Sequence, residues 1–229
     1  MSEVRRRRTS PYRRSTDDGS SGCMRDIDRA PHRRRAAPRR VDVFLVESHR
    51  DGGRFLKKLN LGCGDKILPC YVNVDVAASR RGLKPDVLCD LHKLTPFDDN
   101  TVDEILSVHG VEHFWRWEVV DVLREWVRVL RPGGAMILEC PNLLSACEEL
   151  LRNPEVATGP GQEGQRSMWV FYGDPAWKDP LMIHRWGYSP HSLGEIMHDA
   201  GLINLRQEPA QFKLREPRDM RIVGEKPQR

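Results

Sequence analysis

The stretch Lys58 to Val76, KLNLGCGDKILPCYVNVDV, limits the fold more than any other part of the chain. An apolar run ends in Gly62-Cys63-Gly64, and only ten residues, Pro69 among them, separate Gly64 from Asp75 at the end of a second apolar run. Glycines directly after a strand let the main chain approach a ligand closely, because no side chain intervenes. In an open parallel sheet, ligands bind at the carboxyl ends of the strands, where an acidic residue ending the second strand accepts hydrogen bonds from ribose hydroxyls. The dinucleotide fingerprint needs a third glycine three residues after the second, and Ile67 stands there. No Gly-Lys-Ser or Gly-Lys-Thr follows, and ten residues are too few for the usual crossover helix whose N-terminus would meet a pyrophosphate. The pattern therefore calls for a nucleoside cofactor without phosphates.

Strands and helices alternate around this motif. Strands are expected at 55–61, 71–76, 86–88, near Val108 at the end of TVDEILSVHG, and in AMILECPN. Between the last two lies RWEVVDVLREWVRVL, whose Val119, Val120, Leu123, Trp126, Val127 and Leu130 recur every three or four residues and form one apolar helix face. Gly133 of RPGG is placed to close that helix. A second helix is expected in LLSACEELLRN. A third lies in SPHSLGEIMHDAGL, with Ser189 as N-cap, Pro190 at the first position and Gly201 at the end. INLRQEP and DMRIVGEKP read as a final antiparallel pair. The expected fold is α/β: a doubly wound, mostly parallel, Rossmann-like sheet with helices on both faces and an antiparallel C-terminal strand pair.

Residues 1–40 break with this pattern. They hold thirteen arginines, no lysine and five acidic residues, a net +8, which leaves the other 189 residues at −4 of the overall +4. Such a segment buries too little to offset its ordering entropy and is expected to be disordered, either an arm for phosphates or a dispensable extension. Residues 41–229 form the expected folded domain, with 143–187 inserted as a substrate cap. No apolar run nears the ~18 residues that span a bilayer, and no signal-peptide core follows the first arginines. The six cysteines include no C-x-x-C pair, the pattern of reduced thiols in a cytoplasmic protein, with no metal site expected.

Taken in order, LNLGCGDKILPCYVNVDV, DVLCDL, FDDNTVDEILSVHGVEHF, VLREWVRVLRPGG and ILECPN resemble the successive motifs of class I S-adenosylmethionine-dependent methyltransferases. More narrowly, they resemble the type 11-like group with a short LxLGCG…LPGYxNxD loop, often associated with small-molecule and glycan modification. The resemblance covers residues 55–142 and extends weakly through HRWGYSPHSL. It implies that Gly62, Cys63 and Gly64 lie against the methionine part of S-adenosylmethionine, that Asp75 holds the ribose hydroxyls, and that Asp90 and Leu91 line the adenine. Cys70 stands where the group has glycine, which puts the loop conformation and any cofactor role of Tyr71 in doubt.

Methyl transfer from a sulfonium needs an aligned acceptor and exclusion of water, and a hydroxyl or ammonium acceptor must also lose a proton. His109, Glu112 and His113 of SVHGVEHF sit at a strand end suited to that work, with either histidine as base and Glu112 as orienting partner. Alternatively, Glu112 and His113 simply begin a helix. Trp169, Tyr172, His184, Arg185, Trp186 and Tyr188 form an aromatic-polar stretch suited to lining an acceptor pocket or to packing the long segment on the sheet. The expected activity is methylation of oxygen or nitrogen on a small molecule or glycan, without membrane attachment. The competing reading is a nucleic-acid-directed methyltransferase or binding protein docked through the arginine-rich tail, which the −4 of the remaining chain disfavours.

Overall fold

The computed structural model describes residues 50–51, 54–79, 81–157, 166–212 and 218–228. The expectations for 1–40 lie outside them. A seven-stranded sheet comprises β1 (Lys58–Leu61), β2 (Val72–Asp75), β3 (Val87–Leu88), β4 (Val102–Val108), β5 (Leu130–Pro141), β6 (Ile203–Glu208) and β7 (Asp219–Glu225). Its spatial order is β3-β2-β1-β4-β5-β7-β6. The first five strands pair in parallel, and β7 runs antiparallel to both β5 and β6. The order reverses direction at β1, so the carboxyl ends of β1 and β4 flank a crevice. Phe55, expected as the start of β1, instead belongs with Arg54 to a separate two-residue strand that pairs antiparallel with Arg50–Asp51.

Period-two alternation assigns the sheet's faces. Leu59, Leu61, Val72, Val74, Ile105, Met136, Leu138 and Ile222 join the main core, together with residues of α1 (Val119–Val129) and α4 (Pro190–Asp199). Val119, Val122, Leu123, Trp126 and Val129 are the buried stripe of α1. Ser189 caps α4 through the backbone N–H of Ser192, with Pro190 at the first position, as its sequence implies. Between β5 and α4 run α2 (Leu143–Arg152) and α3 (Arg166–Tyr172). No helix among the described residues is long and apolar enough to cross a membrane.

The opposite face departs from expectation. Leu106, Val108, Ile137 and Val223 there are covered by Leu68, Tyr71 and Phe212 from loops, not by a helix, among the described residues. The alternating positions Asn60 and Asn73 explain how so short a connection can seal a sheet. Asn60 Nδ2 donates to the Lys66 carbonyl at 2.7 Å and to Asn73 Oδ1 at 2.9 Å. Asn73 Oδ1 accepts the Leu68 N–H, and its Nδ2 reaches the Leu68 carbonyl and Asp86. Two buried amides thus satisfy the loop's main chain where a helix would satisfy its own. Lys66 Nζ then donates to the Phe212 carbonyl at 2.8 Å, joining the first cover segment to the last.

Helix α1 ends at Val129 and not at RPGG. Leu130 is already extended, and Lys226 Nζ donates to the carbonyls of Val127 and Leu130, closing the helix from outside. Gly133 does take a positive φ of 76°, but inside the irregularity where β5 shifts register against β4. The strong apolar face was legible; the distant lysine that ends it was not.

Cys70 has a φ of 65°, a left-handed conformation that strains any residue with a Cβ. Relief of roughly 1–2 kcal/mol, less the entropy glycine adds to the unfolded chain, predicts that Cys70→Gly stabilises the fold by up to about 1 kcal/mol. Cys70→Ala should give no such gain. Denaturant midpoints check this, and a destabilised glycine variant would contradict it.

Candidate active site

The glycine turn is built as the motif requires. Gly62 and Gly64 have φ of 68° and 50°, so both positions favour glycine for conformation alone. The N–H groups of Gly62 and Cys63 donate to the Val74 carbonyl at 2.9 and 3.2 Å, tying the turn to the end of β2. A Cβ on Gly64 would meet nothing within 4 Å, so this stretch of main chain is open on that side. Asp75 Oδ2 accepts the Gly64 N–H at 2.8 Å, and Oδ1 accepts the Val76 N–H at 2.7 Å. The carboxylate is thereby oriented beside the glycines. Cys63 is buried, and desolvation, with the charge of Asp75 second, pushes its thiol up to about 12, so it stays protonated and unreactive.

Asp90 and Leu91 stand beside this turn. The Cys89 N–H donates to the Asp75 carbonyl at 2.9 Å, which holds the ends of β2 and β3 together. Asp90 Oδ1 accepts from the His92 N–H and meets its Nδ1 at 2.8 Å; these hydrogen bonds lower the carboxyl's pKa. The buried Leu91 comes within 3.7 Å of the position a Cβ on Gly62 would take, and Trp126 Nε1 anchors its carbonyl at 2.8 Å. Tyr71 lies elsewhere: its hydroxyl donates to Glu104, and burial raises its pKa. It covers the sheet and does not join the crevice.

Gly110 is a crevice residue that the sequence reading missed. Its Cα sits 3.8 Å from the same Gly62 Cβ position, and a Cβ of its own would fall 2.5 Å from Ser107 Oγ. The only available signal was a glycine right after a strand end.

His109 just before Gly110, and Glu112 and His113 in the short 3-10 turn after it (Val111–His113), are the residues expected to handle protons. His109, itself at φ 56°, places Nδ1 3.2 Å from Glu112 Oε1 and Nε2 3.3 Å from Asp219 Oδ1. Burial would raise the Glu112 carboxyl, but the hydrogen bond from His109 and the charges of His109, His113 and His184 outweigh it and bring it to about 2. Glu112 is therefore an anion in the core. His113 packs edge-on against His184 at 5.1 Å between ring centres. The main chain joins the two segments as well, since the N–H groups of Arg185 and Trp186 donate to the Glu112 carbonyl at 2.8 and 3.3 Å.

The aromatic stretch divides. Trp169 and Tyr172 line a cavity of about 520 Å³ with Met168, Lys178, Met182 and Ile183. His184 joins Glu112, and Arg185 lies over the Trp115 ring at 5.2 Å. Trp186 is half exposed, whereas Tyr188 is fully buried in the main core, so its ring packs the fold and lines no pocket.

This sheet order with an antiparallel β7 is the class I methyltransferase fold. Residues 59–138 match the family model described as "Methyltransferase domain". By this match the chain carries a methyltransferase domain over residues 59–138. The glycine turn, the open side of Gly64 and the oriented Asp75 fit S-adenosylmethionine as the cofactor. Similar solved structures include a SAM-dependent methyltransferase from Archaeoglobus fulgidus (15% identity, 75% of this chain and 86% of that one, TM-score 0.49). Another is the Burkholderia thailandensis 1,6-didemethyltoxoflavin-N1-methyltransferase, solved with 1,6-didemethyltoxoflavin and S-adenosylhomocysteine (14%, 76% and 72%, 0.47). A third is the CMeT domain of the citrinin polyketide synthase (15%, 74% and 46%, 0.48). No curated protein matches the chain. Methylation of nitrogen is named for one of these structures, and none of the likenesses is close enough to carry acceptor chemistry to this methyltransferase.

The Gly110 contact yields a test of the crevice. Gly110→Ala should destabilise the methyltransferase by roughly 1–3 kcal/mol through the clash with Ser107 Oγ. That hydroxyl is buried without a hydrogen-bond partner, so in a Ser107→Ala background the same change should cost little. Additive penalties in the double-mutant cycle would show the contact is not the cause.

Proposed function

We propose that the enzyme methylates oxygen or nitrogen of a small molecule or glycan, with residues 143–187 as the cap over the acceptor. What supports this reading is how two groups meet at the carboxyl ends of the strands. Gly110 and Leu91 lie against Gly62 of the glycine turn, which Asp75 binds, and Gly110 directly follows His109, which meets Glu112 beside His184. The cap's cavity of about 520 Å³ falls in the range of small-molecule sites and is lined by aromatic and apolar residues together with Asp174, Lys178 and Asp179.

When bound, S-adenosylmethionine supplies a methyl already activated on a sulfonium. Gly62, Cys63 and Gly64 would present main chain to its methionine part, Asp75 would accept from the ribose hydroxyls, and Asp90 and Leu91 would hold the adenine. Asp75 is prepared for this by the Gly64 and Val76 amides, which keep its carboxylate in place before any ligand arrives. The His109–Glu112–His113 group with His184 receives the acceptor and assists loss of its proton, while Trp169 and Tyr172 offer faces on which a ring or sugar can stack. Trp186 and Arg185 close the rim beside Trp115.

Calorimetry with S-adenosylhomocysteine should show one site, weakened about ten- to a hundredfold in Asp75→Ala, the worth of one or two hydrogen bonds to a charged group. With labelled methyl donor and cell extract, label should enter the small-molecule or glycan fraction and vanish with Asp75→Ala. Label in the nucleic-acid fraction would overturn the acceptor class.

A further inference from the structure

We infer that Glu112, His113 and His184 form a binding site for one divalent transition-metal ion of the zinc class. One carboxylate oxygen and one ring nitrogen from each histidine lie within 4.8 Å of one another. The cysteine spacing had argued against a metal, but this group contains no cysteine and draws its members from segments seventy residues apart.

Tautomers are settled by the second ring nitrogens. His113 Nδ1 lies 3.1 Å from the Ile183 carbonyl, and His184 Nδ1 lies 3.0 Å from that of Val170. A carbonyl only accepts, so each Nδ1 carries the hydrogen, and in the neutral ring each Nε2 is left with a lone pair. A backbone carbonyl on the far nitrogen is the arrangement that orients metal-binding histidines.

Glu112 is the third donor. Its side chain is 2% exposed, and only one imidazole comes close enough to approach a hydrogen bond to it, which leaves its oxygens with donor capacity to spare. His109 Nδ1 stands at 3.2 Å on one side. His184 Nε2 stands at 3.8 Å on the other, too far for a hydrogen bond, whose usual range is about 2.7–3.2 Å. Two atoms bound to one tetrahedral zinc ion at ~2.1 Å lie ~3.4 Å apart, so that gap closes onto a shared ion with a small movement. A pair at the group's outer limit of 4.8 Å would draw in by ~1.4 Å to reach tetrahedral spacing, within reach of side-chain rotation. A buried carboxylate with two imidazoles is also a donor set that binds zinc with a coordination position to spare.

Such an ion would bolt the cap segment bearing His184 to the turn that follows β4, reinforcing the main-chain bonds from Arg185 and Trp186 to Glu112. Its remaining position would hold the acceptor's oxygen or nitrogen. Only that second role rests on the function proposed above.

The test uses the full chain, stripped with a chelator and titrated with zinc(II) by calorimetry and with cobalt(II) by visible spectroscopy. One equivalent should bind, with cobalt bands of a nitrogen- and oxygen-ligated ion and no thiolate charge transfer. His184→Ala, His113→Ala and Glu112→Gln should each weaken binding more than about tenfold while S-adenosylhomocysteine affinity is kept, which also shows that the variants fold. Absence of a stoichiometric site, or equal zinc affinity in wild type and His184→Ala, would overturn the inference. Zinc binding without S-adenosylhomocysteine binding would sink the methyltransferase reading and leave the ion site standing; the reverse outcome would do the opposite.

Discussion

The pair Asn60 and Asn73 carries the constraint on which the rest of the molecule depends. A parallel strand pair needs a crossover, and ten residues cannot make the usual helical one. The chain solves this by pointing two amides at the face where the crossover lies, so that the main chain of Lys66, Leu68 and Tyr71 is satisfied by side chains. An unsatisfied buried polar group costs about 1–3 kcal/mol, so these bonds together decide whether the loop lies on the sheet at all. With the loop lying there, the glycine turn and the end of β2 are brought side by side.

That juxtaposition makes the crevice. Gly64 and Asp75 are eleven positions apart in sequence yet share a hydrogen bond of 2.8 Å, and β3 is drawn in by the bond from Cys89 to Asp75. Helix α1 supports the same corner from beneath through Trp126, whose indole N–H holds the Leu91 carbonyl. On the other side of Gly110 the chemistry changes from neutral main chain to a buried anion among imidazoles. Glu112 stays ionised in the core because the hydrogen bond from His109 and the imidazoles around it offset its desolvation.

Much of this was legible in the sequence, and the failures are informative. The succession of strands and helices, the stripe of α1 and the cap of α4 follow from periodicity and capping rules, which act over a few residues. Asn60 and Asn73 were visible only as polar residues in apolar strands, and their meaning depends on a loop folding back over them. The end of α1 is set by Lys226, nearly a hundred residues away, so RPGG misled. His184 was expected in a substrate pocket and Tyr188 beside it; four residues of separation place one against Glu112 and the other in the core. Distances between segments far apart in sequence decide such matters, and composition carries no record of them.

The central claim is that main chain at Gly62–Gly64 and the carboxylate of Asp75 together receive the adenosyl compound. A crystal structure of the full chain grown at saturating S-adenosylhomocysteine tests it most directly. The account predicts the ribose hydroxyls on Asp75, the adenine between Asp90 and Leu91, and the amino-acid part along the glycine turn. Density for the ligand at another place, or a crevice left empty at saturation, would contradict it.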